Sequence, residues 1–204
     1  MDFDLYPTIT LRSQSFNALL APRELFVQAL NRNQNLQRFR VLYVTGNYSA
    51  VLSRLDRRFK ALEVRRGFTV FQLMTILEEN HHSIIFLEHD PLLYEDATEM
   101  TEYVSLALRD AAKETAVLLY APGADPYFEE LVKNADRAFY FDEGPRAEAR
   151  VTAIGESEDA EEPDHARGIL TRFIGWVGQR EVMPICSRLI HRNIQKLFLP
   201  IALS

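Results

Sequence analysis

Two rhythms of apolar residues alternate along this chain. Short unbroken runs predict strands: "FNALL" at 16–20, "FRVLYVT" at 39–45, "SIIFLEH" at 83–89, "TAVLLYAPG" at 115–123 and "DRAFYFDE" at 136–143. They are rich in β-branched and aromatic residues, and several stop at turn formers. "ALEV" at 61–64 and "ARVTAIGE" at 149–156 are weaker candidates of the same kind. Between the runs, apolar residues recur every three or four positions. Leu25, Phe26, Ala29 and Leu30 do so, as do Val51, Leu52, Leu55 and Phe59, and again Phe68, Phe71, Leu73, Met74 and Leu77. That spacing predicts helices with one buried face. Pro22 suits the first turn of the first of them. A longer helix is expected over 98–114. Another opens at Asp125, an N-cap residue followed by Pro126 at the first helical position.

Strands that are apolar throughout need cover on both faces, and helices alternating with strands supply it. The expected fold is a three-layer α/β domain with a mainly parallel sheet. "GESEDAEEPD" at 155–164 breaks the rhythm. It is acidic, proline-containing and nearly free of apolar side chains, so it reads as a solvated linker. The chain then divides into an α/β domain at 1–154, a linker at 155–165 and a C-terminal helical or docking segment at 166–204. In that last segment Ile190, Ile194, Leu197 and Phe198 keep helical spacing.

Charge matters locally more than globally. The net charge of −6 does not advertise nucleic-acid binding over the whole surface. From 142 to 164, however, nine acids face two bases, and from 54 to 66 six bases face two acids. The basic residues Arg54, Arg57, Arg58, Arg65 and Arg66 suit either nucleic-acid phosphates or an acidic surface on another subunit. No apolar run approaches the ~18–20 residues of a membrane span. The start of the chain lacks a secretory pattern, so a cytoplasmic protein is expected. The single cysteine, Cys186, allows no intrachain disulfide, and its apolar surroundings suggest a buried helix. His81 and His82 are adjacent and point apart on extended backbone, so with His89 they suggest no metal site. No nucleophile motif is present, and no catalytic residue is assigned.

The chemistry concentrates in "SIIFLEHDPLLYED" at 83–96. A buried parallel strand here delivers Glu88 and Asp90 to its carboxyl end, where open parallel sheets bind ligands. A nucleotide site would pair them with G-x-x-x-x-G-K-[ST], whose backbone amides and lysine wrap phosphates. Between the first strand and first helix the chain reads "NALLAPRELFVQAL" instead, without glycine or lysine. Pro22 even removes one amide, and the first glycine in the chain is Gly46.

This order of elements, with "RRGFTVFQLMTILEE", "SIIFLEHDPLL", "TAVLLYAPG" and "LVKNADRAFYF", resembles the RecA/RadA/KaiC superfamily of P-loop ATPases, particularly divergent archaeal members. The resemblance covers roughly residues 16–142. It implies a RecA-like sheet whose acidic strand carries the second nucleotide motif, placing Glu88 or Asp90 beside the magnesium of a bound nucleotide. The missing cradle makes the chain look most like the non-hydrolysing paralogues that keep the fold for assembly. On this reading it is a catalytically inactive interaction or regulatory subunit, its partner itself or another RecA-like protein, with no membrane and no cofactor expected. Two alternatives stand beside it. One is an ATP-binding accessory of DNA repair that holds Mg-ATP through an unconventional loop. The other is a nucleic-acid-binding module built on the basic stretch.

Overall fold

The computed structural model describes residues 3–6, 9–56, 62–142 and 181–186. Two short strands, β1 (Phe3–Tyr6) and β2 (Ile9–Leu11), form an antiparallel hairpin ahead of the main sheet. The sheet then builds from β3 (Ser15–Leu20), β4 (Val41–Thr45), β5 (Leu62–Arg66), β6 (Ile84–Glu88), β7 (Ala116–Ala121), β8 (Arg137–Asp142) and β9 (Glu181–Cys186). Their spatial order is β5-β4-β6-β7-β3-β8-β9, and every pairing is parallel. The helices are α1 (Arg23–Arg32), α2 (Val70–Glu78), α3 (Thr101–Ala111) and α4 (Pro126–Leu131). The chain is thus an α/β fold on a parallel sheet.

The two faces of the sheet carry separate cores, because alternate strand residues point opposite ways. Tyr43, Phe86, Leu118 and Leu19 face α1 and the β1–β2 hairpin. Leu42, Ile85, Val117 and Ala18 face α2, α3 and α4. The hairpin is fastened from below, where Arg137 Nη1 donates to the carbonyl of Thr10 at 2.8 Å. The Arg137 guanidinium also lies 4.8 Å over the Phe139 ring.

Two expectations change. Residues 47–56, expected to open a helix, hold only a single 3₁₀ turn at Leu52–Arg54. Val51, Leu52 and Leu55 do pack on the α1 face, as their spacing suggests. The Ser49 hydroxyl accepts from the Leu52 amide at the start of this turn and donates to Glu88, tying the segment to the sheet. Residues 181–186, placed by sequence in a helical segment around Cys186, are instead strand β9. Pairing the β8 edge satisfies backbone groups that a helix would leave open there. The candidate strand at 149–156, the linker and the rest of 166–204 lie outside the described residues.

Candidate functional site

Connections leave the sheet in opposite directions at two places. After β4 the chain runs across the α1 face to β5, whereas after β6 it crosses the other face through α3 to β7. After β3 it crosses the α1 face and after β7 the opposite one. Such switch points open crevices at the carboxyl ends of strands, where ligands bind.

Between β4 and β6 sits Glu88, buried on the α1 face. Tyr43 Oη donates to its Oε2 at 2.8 Å, the Ser49 hydroxyl donates to the same oxygen, and Thr45 Oγ1 lies 3.5 Å away. Burial, and then the neighbouring Glu88 charge, raise the Tyr43 phenol far above its ordinary value, so it remains a donor. Asp90 is two residues on but faces elsewhere. Its Oδ1 accepts from the Leu92 amide at 3.2 Å, capping a short turn. Its other oxygen closes on Gly46, where an added Cβ would fall 2.1 Å from Oδ2. Only glycine lets the β4 end approach so closely. The two carboxylates named from sequence thus make separate contacts, Glu88 with Tyr43 and Ser49 and Asp90 with the Leu92 amide.

Between β3 and β7 the Ala21 amide donates to the Ala121 carbonyl at 3.1 Å, extending the ladder one residue past β3. Pro22 is the N-cap of α1 and offers no side-chain cap. The amino end of that helix would otherwise attract an anion. Glu24 provides one from within: a hydrogen bond from its own amide, then Arg54, hold its carboxyl below the usual carboxylate range despite some desolvation. Arg54 Nη1 reaches Glu24 Oε1 at 3.0 Å. The Tyr120 ring stacks on Phe26 of α1 with centroids 3.9 Å apart. Burial first, and the Glu88 charge second, raise its phenol well above the ordinary value.

The remaining predicted residues are placed as follows. Arg65 pairs with Glu63 and Glu79, each at 3.1 Å, and Arg66 Nη1 donates to the Asn47 carbonyl at 2.7 Å. Arg57 and Arg58 lie outside the described residues. Exposed pairs of this kind contribute little stability, but they offset the positive charge of the stretch. Among the described residues no group of three His, Cys, Asp or Glu side chains could hold a metal ion.

Sequence reasoning passed over a half-buried dyad on the opposite face. His89 Nε2 lies 2.7 Å from Asp125 Oδ2, and the histidine ring packs against Tyr94 and Phe128. The other oxygen of Asp125 accepts from the Tyr127 and Phe128 amides. Burial pushes this carboxyl up, but His89 and the two amides outweigh it, leaving it lowered. The stability Asp125 confers is therefore present above its unfolded value and lost as pH falls through the folded one. Asp125→Ala should destabilise the fold by about 1–2 kcal/mol, read as an unfolding midpoint at neutral pH. Most of that difference from wild type should vanish in acid.

The tyrosines give the opposite sign. Burial raises the phenols of Tyr6, Tyr43 and Tyr120, so their stabilising effect is complete below their unfolded value and lost above it. Unfolding midpoints should fall steeply once pH exceeds about 10, with the tyrosinate absorbance of these three rings appearing only on unfolding. Titration of all eight tyrosines in the folded chain would contradict this.

With the geometry in view, comparisons with known proteins add little. No family model matches the chain. It is 39% identical over 123 residues to an uncharacterized protein of Archaeoglobus fulgidus. The match takes in 60% of this chain and 62% of that relative, so the chain covers less than two thirds of its length. No helix among the described residues is long and apolar enough to cross a membrane.

Proposed function

We propose that this chain is a catalytically inactive relative of the RecA/RadA/KaiC-like P-loop ATPases that serves as an interaction or regulatory subunit. One observation carries the reading. The amino end of α1, where such an ATPase would seat phosphate, has Glu24 on its own amide and Arg54 against that carboxylate. A phosphate there would meet like charge and would have to displace an intramolecular anion. The sequestered Glu88 supports the same reading, because its oxygen already receives Tyr43 and Ser49.

Saturating Mg-ATP should leave the melting temperature unchanged. Nucleotide at ~100 times its dissociation constant would add about 2.7 kcal/mol, well within reach of the measurement. A clear upward shift would sink the proposal and favour an ATP-binding accessory with an unconventional loop. A nucleic-acid binder would instead show affinity falling steeply with salt and lost in Arg65→Glu/Arg66→Glu.

A further inference from the structure

The outward face of α2 and α3 plays no part in the site above. Both helices return from the carboxyl end of the sheet to its amino end, so they lie side by side and parallel. A groove of about 850 Å³ runs between them, lined by Met74 on α2 and by Tyr103 and Leu106 on α3. Phe71 continues the α2 ridge one turn before Met74. Phe71 is 66% exposed, Tyr103 57% and Leu106 46%. Large apolar side chains grouped on one helical layer mark an interaction surface more often than scattered ones do.

Charge indicates the occupant. Glu102, Leu106, Arg109 and Lys113 follow one another at helical spacing and form a single outward stripe. Lys113 pairs with Asp110, but neither Glu102 nor Arg109 has an ion-pair partner among the described residues. Seven residues of helix separate them, about 10.5 Å, with Leu106 near the midpoint. Turned end for end, the stripe is its own complement. Glu102 of one copy meets Arg109 of the other at both ends, with the two Leu106 side chains between. Parallel packing would set like charge against like.

We propose that a second copy of this chain covers the groove, α3 packing antiparallel on α3 across a two-fold axis at Leu106. Such an interface is isologous and closes as a dimer. The proposal rests on the reading of the chain as an interaction subunit and supplies its partner.

Sedimentation velocity of the full chain tests it. The expected mass is about twice 23.5 kDa. Leu106→Glu should give a monomer with an unchanged circular-dichroism spectrum, since Leu106 is exposed. Glu102→Arg should weaken the dimer at least tenfold, and Glu102→Arg/Arg109→Glu should restore it. A wild-type monomer would overturn the proposal, as would a dimer indifferent to Leu106→Glu. A wild-type monomer that Leu106→Glu destabilises would assign the groove to a segment of the same chain. The Mg-ATP melt on the same samples keeps the two readings apart. A nucleotide shift in a Leu106-dependent dimer removes the inactive-subunit reading but leaves this interface standing.

Discussion

Glu88→Ala should cost about 2–5 kcal/mol of folding stability, measured as a lower urea midpoint at unchanged slope. The reason is the donors it leaves behind. Tyr43 Oη and the Ser49 hydroxyl both converge on Glu88 Oε2, and Tyr43 is buried with no route to water. Each buried donor without an acceptor carries a penalty of about 1–3 kcal/mol. Asp90→Asn is the matched control. An asparagine can still cap the Leu92 amide, so the expected change is within about 0.5 kcal/mol. Similar costs for the two substitutions would mean that Glu88 is not the anchor of this crevice. A stabilised Glu88→Ala would mean that the carboxylate is held for a ligand at the expense of the fold.

Phe26→Ala should be the most damaging single truncation on the α1 face, at about 3–5 kcal/mol. Phe26 is fully buried, stacks on Tyr120 at 3.9 Å and meets the Phe86 ring edge-on at 6.1 Å. It couples α1 to β6 and β7 near their carboxyl ends. Its loss leaves a cavity under the helix and frees the Tyr120 ring, so tyrosinate should form at lower pH in this variant than in wild type. Phe26→Leu, which retains most of the volume, should recover much of the stability. A Phe26→Ala chain as stable as wild type would refute the packing described.

Much of the fold is legible in the sequence because its strands are apolar on both faces. A run such as Ile84–Glu88, with every residue buried, can be little else. Asp125 and Pro126 also declare their helix, and the structure uses them as cap and first residue. The β1–β2 hairpin escaped notice because strands of four and three residues give too short a period to recognise. The apolar spacing of Val51, Leu52 and Leu55 correctly marks a buried face, yet the segment makes one 3₁₀ turn and is tied to the sheet through Ser49 and Glu88. That long-range tether leaves no trace in periodicity.

The candidate site was half legible. Glu88 and the absent phosphate loop are visible in the sequence, and the strand-end position of the carboxylate follows from them. What neutralises it comes from far away in the chain. Tyr43 and Ser49 belong to β4 and the loop beyond it, and Arg54 reaches back to Glu24. Parallel register alone brings these together, with Val44 level with Leu87. A tyrosine in a strand reads as core, and only the neighbouring strand reveals that its hydroxyl has a task.

The place of β3 in the sheet has a consequence for how the chain acquires its structure. Ser15 pairs with Ala116 and Asn17 with Arg137, so neither neighbour of this strand exists until most of the protein has been synthesised. Emerging from the ribosome, β3 is an apolar strand with both edges open. Topologies dominated by such distant pairings fold slowly, and their waiting segments are prone to aggregate. The β4–β5 and β4–β6 ladders, closer in sequence, can form first and hold a half-built sheet. Chains that stop before Arg137 should then collect as insoluble material, because the strand that joins the two halves would lack one of its partners.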